Sequence, residues 1–221
     1  MAQEMIIFDM DGVLVDVTES YRETIVRTVQ HFTGQTIARS RIQEYKNAGG
    51  WNNDWQLSQK IARDLGVEVD YPVVVDYFQK IFFGDGDGGL MQREQWIARP
   101  GVLESLSERY AFSIFTGRER AEAQMTLDRF AAGLKFAPVV GADDVQYGKP
   151  DPEGMLRIMS EFPGERFYYI GDTVDDARSA KLAGVPFIGI GHGDTGALLL
   201  AEGAQALIPS INDLAGALES L

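Results

Sequence analysis

Cysteine is absent from the 221-residue chain, so it can form no disulfide, no thiolate nucleophile and no thiolate-bound zinc. Histidine is almost absent. His31 and His192 stand far apart, which argues against a histidine-rich metal site and leaves a hard cation on oxygen ligands as the metal to expect. Positive charge is scarce, with 20 Lys and Arg against 33 Asp and Glu, and the net charge of −13 repels polyanions. A nucleic-acid backbone or an anionic membrane is therefore not the expected partner, although a small anion can bind where a few cations converge. No apolar run approaches the roughly 20 residues that cross a bilayer, and no basic segment followed by an apolar stretch opens the chain. A soluble, cytoplasmic protein is expected. What is present is 45% hydrophobic residues, enough for the core of a large domain or of a domain with a smaller partner.

Short apolar runs that end at Gly, Asp or Thr recur at Met5–Phe8, Ala111–Phe115, Pro138–Val140, Phe167–Ile170, Phe187–Ile190 and Ala206–Ile208. They have the pattern of buried parallel strands. Amphipathic stretches alternate with the later ones: Glu119–Phe130, with Ala123, Leu127 and Phe130 on one face, and Pro152–Phe162, with Met155, Leu156 and Met159. This alternation predicts an α/β fold, a parallel sheet covered by helices on both faces, with ligands bound at the carboxyl ends of its strands.

From about Val17 to about Ala98 the pattern is helical without a convincing strand, as in Tyr21, Ile25 and Val29, then Ile61 and Leu65, then Val74, Tyr77, Phe78 and Ile81. A crossover between parallel strands needs only about a dozen residues. The excess predicts an inserted helical domain over 17–98, with the core built from 1–16 and 99–221. Gly84–Gly89, an alternation of Gly and Asp near the second junction, lacks the spaced ligands and closing Glu of a calcium loop and reads as a turn.

Polar residues cluster behind the apolar runs. Asp9 and Asp11 follow the first, and a plain turn has no need of two acids there; Gly12 is suited to a positive φ, and Asp16 to capping the next helix ahead of Glu19. Thr116-Gly117-Arg118-Glu119 follows the second and fits either a phosphate cradle or, through Thr116 and Glu119, a capping box. Lys149 lies just before a helix that Asp151 would cap with Pro152 at its first position. Asp172, Asp175 and Asp176 follow Phe167–Ile170; an acid at this strand tip suits magnesium, and Asp175 best fits a favourable place in the helix dipole.

Taken in order, Asp9 to Gly12, Thr116, Lys149, and Gly171-Asp172 with Asp176 resemble the motifs of the haloacid dehalogenase superfamily, and they span most of the chain. The helical insertion resembles the C1 cap of the branch containing phosphoglycolate phosphatase and β-phosphoglucomutase. The resemblance implies a Rossmann-like core, Mg2+ and a covalent aspartyl phosphate. It assigns Asp9, the Asp11 backbone carbonyl and Asp172 to the metal, with Asp176 orienting ligands or Lys149. Asp9 is the nucleophile and Asp11 the acid and base, while Thr116, Gly117 and Lys149 hold the phosphoryl oxygens. True dehalogenases lack the second Asp of the first motif, so Asp11 points to phosphoryl chemistry. Many relatives carry Asn after the threonine where this chain has Gly117-Arg118, which leaves open whether Arg118 reaches the substrate. Phosphonatase-like relatives form a Schiff base on a cap lysine, and Lys46 and Lys60 lie in the cap without a diagnostic context.

The expected activity is magnesium-dependent hydrolysis of a small phosphate monoester, with a small phosphorylated metabolite as partner. Within the cap, Trp51, Asn52 and Asn53 form either a specificity loop or a helix cap with packed tryptophans. The rivals are a phosphomutase of the β-phosphoglucomutase kind, a phospho-acceptor signalling domain and a non-catalytic binding protein. A signalling receiver places its phosphorylated Asp on a strand later than the acidic pair and leaves the helical insertion unexplained.

Overall fold

Met5, Ile6, Ile7 and Phe8 are buried almost completely in the computed structural model, which describes residues 4–85 and 88–221. A strand apolar on both faces needs cover on both, and the alternating chain supplies it. The strands are β1 (Glu4–Phe8), β2 (Val15–Asp16), β3 (Gln95–Trp96), β4 (Tyr110–Phe115), β5 (Phe136–Val140), β6 (Arg166–Gly171), β7 (Phe187–Ile190) and β8 (Ala206–Ile208). The helices are α1 (Tyr21–Thr33), α2 (Arg39–Ala48), α3 (Asp54–Asp64), α4 (Tyr71–Phe83), α5 (Val102–Ser107), α6 (Arg120–Phe130), α7 (Glu153–Glu161), α8 (Val174–Ala183), α9 (Gly193–Glu202) and α10 (Leu214–Leu218). All six expected strands form, and they assemble in the order β5-β4-β1-β6-β7-β8.

Every pairing in that sheet is parallel, which gives the expected α/β, Rossmann-like core. Phe8 pairs in register with Ile114 on one side and Ile170 on the other, so β4, β1 and β6 end together at the middle of one sheet edge. On one face Met5, Ile7, Phe115 and Tyr169 join Met155 and Ile158 of α7 and Ala177 and Ala180 of α8. On the other, Phe8 meets Phe112 and Phe136 edge-on at 5.2 and 6.1 Å.

The chain divides into two compact units, Met1–Val15 with Trp96–Leu221, and Asp16–Gln95. The second unit is helical. Its core includes Ile25 and Val29 of α1, Leu57 and Ile61 of α3, and Val74, Phe78 and Phe82 of α4, with the Tyr21 ring tilted against Phe82 at a centroid distance of 4.2 Å. Within it Tyr77 and Ile81 are only half-buried, and Phe82, one turn on from Phe78, takes the core position.

Several expected helix starts move. Asp16 belongs to β2 and accepts the Thr18 N–H at 2.9 Å, while Ser20 precedes α1. The Thr116 N–H still bonds the strand, to Val140 O at 3.0 Å, so α6 begins only at Arg120 and no Thr116–Glu119 capping box forms. Pro152 is the N-cap of α7 rather than its first residue, with Asp151 accepting the Glu153 N–H at 2.9 Å. The β2–β3 ribbon falls in a stretch read as free of strands, being only two residues long on each side. In the Gly-rich segment, Gly86 and Asp87 lie outside the described residues; an added Cβ on Gly89 would stand 2.1 Å from Phe82 O, so the flanking backbone needs glycine for close approach. Among the described residues no helix is long and apolar enough to cross a membrane.

Candidate active site

Asp9 is the first residue beyond β1, and its N–H continues the sheet by donating to Ile170 O at 2.8 Å. That bond fixes the carboxylate at the strand tip. The chain then turns tightly, with Leu14 and Val15 N–H donating to Met10 O at 2.9 and 3.0 Å and Gly12 at φ 78°. A Cβ on Gly12 would stand 2.1 Å from Asp172 Oδ2, so the absence of a side chain lets the acid beyond β6 approach the turn beyond β1.

Lys149 arrives on the loop between β5 and α7. Glu153 closes that loop by accepting the Gln146 and Tyr147 N–H groups at 2.9 to 3.0 Å. The Lys149 side chain is 1% exposed, and its Nζ donates to Asp9 Oδ1 and Asp176 Oδ1, each at 2.7 Å. The Phe115 and Tyr169 rings lie against the ammonium, with centroids at 5.1 and 5.5 Å.

Asp176 is the third helical residue of α8 and forms a capping box with Thr173. Its Oδ2 accepts Thr173 N and Oγ1 at 3.0 and 2.6 Å, and its Oδ1 accepts the Tyr169 hydroxyl at 2.7 Å besides Lys149. Burial acts to raise the Asp176 pKa, but the Lys149 charge and the bonds from Lys149, Thr173 and Tyr169 outweigh it, and the carboxyl lies below its ordinary range. Asp9 has fewer donors. Burial, helped by the Asp176 and Asp11 charges and opposed by Lys149, pushes its carboxyl up to about 7. Burial also works against the Lys149 charge, yet Asp176 and Asp9 prevail and hold its pKa above the ordinary lysine value. The Tyr169 phenol, buried beside three acids, is raised well above its usual value.

Oxygen atoms of Asp9, Asp172 and Asp176 all lie within 4.8 Å of one another. This all-oxygen donor set at a strand edge, with Gly12 making room for Asp172, fits a hard divalent cation. Asp175, buried in the first turn of α8, is not part of that group.

Thr116 lies at the end of β4, buried, its Oγ1 accepting the Arg118 N–H at 3.2 Å. Gly117 follows it at the same strand end. Arg118 is drawn inward: Nε and Nη2 both reach Asp11 Oδ1, at 2.7 and 2.6 Å, and Nη1 donates to Thr126 Oγ1 at 2.8 Å.

The cap candidates lie in the other unit. Asn53 caps α3, its Oδ1 accepting the Gln56 N–H at 2.9 Å, which is the capping alternative. The Asn52 carbonyl accepts a bond from Lys46, whose ammonium also sits 2.6 Å from Asp54. Lys60 is tied to Asp64, so each lysine is held by a carboxylate. Trp51 meets Tyr45 edge-on and lines a cavity of about 300 Å³ with Lys60, Arg63 and Tyr71. Trp55 packs edge-on against Phe78.

Two residues of the site were not singled out from sequence for the roles their contacts give them. Tyr169 sits inside an apolar strand run, and its available signal was that a buried phenol needs a partner. Arg118 was noted without its partner Asp11, 107 residues away.

A model of the family described as haloacid dehalogenase-like hydrolase matches residues 6–190. A phosphoglycolate phosphatase of Salmonella typhimurium is 25% identical over 230 residues, covering 96% of this chain and 90% of that protein. An imidazoleglycerol-phosphate dehydratase of Phytophthora nicotianae is 30% identical over 223 residues; the match takes in 97% of this chain but only 49% of that protein's length. Among solved structures, phosphatase Tt82 from Thermococcus thioreducens superposes with a TM-score of 0.67 at 25% identity, covering 85% of this chain and 93% of its own.

Proposed function

The chain belongs to the haloacid dehalogenase-like hydrolase family, and from that premise we propose that it is a magnesium-dependent phosphatase acting on a small phosphate monoester through a phosphorylated Asp9. The observation that carries this reading is the buried ammonium of Lys149 bridging Asp9 and Asp176 at 2.7 Å each, with Asp172 alongside. A phosphate monoester is a dianion, and a carboxylate attacking it needs positive charge in place first.

Asp9, the Asp11 backbone carbonyl and Asp172 would hold Mg2+, with Asp176 orienting Lys149. Bound there, Mg2+ supplies the charge that offsets the phosphate and the attacking carboxylate. An ammonium has three N–H groups, and two of those on Lys149 are committed to carboxylates, which leaves one for a phosphoryl oxygen. Thr116 and the Gly117 backbone serve the other oxygens. Asp9 attacks phosphorus, and the bond to the ester oxygen breaks. Asp11 gives that oxygen its proton, then takes one from the water that cleaves the aspartyl phosphate.

Phosphoglycolate, for which the Salmonella relative is named, heads the substrate panel. Phosphate release is measured with Mg2+ and with a chelator, for wild type and Asp9→Asn. The expected result is metal-dependent release by wild type, none by a folded Asp9→Asn, and labelled phosphoryl retained on wild-type Asp9 after an acid quench. Normal turnover by Asp9→Asn would exclude the covalent route. Little phosphate release without a bisphosphate activator would identify a mutase instead.

A further inference from the structure

Asp11 is held from one side only. Arg118 Nε and Nη2 converge on Asp11 Oδ1 at 2.7 and 2.6 Å, and among the described residues Asp11 Oδ2 accepts no side-chain donor. The guanidinium is itself anchored, with its side chain 1% exposed and Nη1 on Thr126 Oγ1 at 2.8 Å. Its backbone is fixed at both ends, since Arg118 N–H donates to Thr116 Oγ1 at 3.2 Å and Arg118 O accepts the Ala142 N–H at 2.7 Å. Gly141 lies so close that an added Cβ would stand 2.8 Å from Arg118 O. A long cation this restrained fixes the rotamer of the acid it grips.

We propose that Arg118 is the positioning residue for proton transfer, clamping Asp11 by Oδ1 so that Oδ2 alone exchanges protons with the leaving oxygen and with the attacking water. This rests on the phosphatase reading and adds to it the atom that does the work and the group that aims it. The balance is complete. In the first half-reaction Asp9 forms a bond to phosphorus, the ester P–O bond breaks with its electron pair leaving on oxygen, and Oδ2–H protonates that oxygen. In the second, Oδ2 takes a proton from water, the water oxygen bonds to phosphorus, and Asp9 leaves as carboxylate. Because the Nε hydrogen bond and the nearby Nη2 charge both bear on Oδ1, the clamp persists whether or not Oδ2 carries its proton. Arg118 makes no contact with the substrate in this scheme. Its Nε and Nη1 are committed to Asp11 and Thr126.

The test is the dependence of kcat/KM on the leaving group, because kcat/KM reports only steps through cleavage of the ester bond. Wild type, Arg118→Met and Arg118→Lys are compared on an alkyl phosphate, whose alkoxide must be protonated, and on p-nitrophenyl phosphate, whose phenolate leaves unaided. Arg118→Met should lose ~30-fold on the alkyl ester, part of the roughly 10²–10⁴ that general acid–base catalysis contributes, and less than ~3-fold on the aryl ester. Arg118→Met should also release a burst of nitrophenol, since Oδ2 is needed again in the second half-reaction, and inhibition by inorganic phosphate should stay within about twofold. Arg118→Lys, keeping charge without the fork, should recover part of the alkyl activity. Equal losses on both esters, or none, would overturn the proposal, as a purely structural role lowers both together. Should Arg118→Met fail to fold, Thr126→Val frees Nη1 and must show the same imbalance in smaller measure, or the proposal falls. A wild-type chain inert toward both esters removes the phosphatase reading and this inference with it; an active wild type with leaving-group-independent losses removes the inference alone.

Discussion

Replacing Lys149 with methionine keeps most of the side-chain volume and deletes the charge between Asp9 and Asp176. Both carboxylates are buried, with side chains 7% and 0% exposed, so water cannot take over the solvation that the ammonium supplied. Removing one partner of a buried ion pair costs about 3–5 kcal/mol, because the charge left behind is uncompensated. Here one cation serves two acids, yet the cost does not double. Burial already pushes the Asp9 carboxyl up to about 7, so Asp9 escapes the loss by holding a proton. Asp176 keeps its bonds from Thr173 and Tyr169 but loses the Lys149 charge that chiefly holds its carboxyl down against burial, and so bears the penalty. The sign of the pH effect follows. A carboxyl raised in the folded state contributes stability that is complete below its unfolded value of 3.8 and is lost as pH rises through the folded value. Without Lys149, whose charge opposes the rise, that window extends to higher pH, at about 1.4 kcal/mol per pH unit for each retained proton. Urea unfolding in chelator at about pH 6 and about pH 8.5 should therefore give a deficit relative to wild type that is larger at the higher pH by ~1.4 kcal/mol or more. Added Mg2+ should raise the midpoint of the variant more than that of wild type, since a dication replaces the missing charge, while turnover stays at least ~10²-fold down for want of a phosphoryl-oxygen donor. An unchanged midpoint, or a deficit indifferent to pH and to Mg2+, would refute the electrostatic account of the site.

Gly12→Ala puts a methyl group 2.1 Å from Asp172 Oδ2 at a backbone φ of 78°, so the acid must swing away. Mg2+ affinity read by titration calorimetry should fall at least ~10-fold while the strained turn costs only about 1 kcal/mol of stability, and undiminished affinity would remove Asp172 from the ligand set. Tyr169→Phe keeps the ring over Lys149 and deletes one hydrogen bond to a charged acceptor, worth about 1.5–3 kcal/mol. The thermal midpoint should drop by roughly 2–4 °C for each kcal/mol lost in a chain of this size, and an unmoved midpoint would show that the phenol does not secure Asp176.

The parts of this protein that were legible in sequence are those whose signal is local. The run Met5–Phe8 announces a strand buried on both faces, and its burial of 1% or less at each residue is why no polar alternation interrupts it. Parallel strands also bring their carboxyl ends to one edge, so Asp9, Thr116 and Asp172 were predictable as residues of the same sheet edge once β1, β4 and β6 were recognised. Two-residue strands such as β2 and β3 are too short to show a period. The spacing of Thr116 and Glu119 misled because a capping box presumes that the helix has begun, whereas Thr116 still hydrogen-bonds as a strand residue.

What sequence withholds is which strands become neighbours, and the two unforeseen contacts depend on that order. Tyr169 and Ile7 pair across β6 and β1, which places the phenol on the same central strands as the acids it serves. A tyrosine in an apolar run is indistinguishable from core until its hydroxyl is given an acceptor, and that acceptor belongs to the following helix. Arg118 has the same character. Its charge is plain in the sequence, but two residues beyond Thr116 it would meet solvent, a substrate or an acid depending on which strand lies beside β4. The pairing of Phe8 with Ile114 makes that strand β1, whose tip carries Asp11. A buried arginine in a sheet-edge turn requires an acid nearby. The sheet order therefore selects Asp11 as its partner, and in doing so draws a surface-type residue into the acidic strand tip.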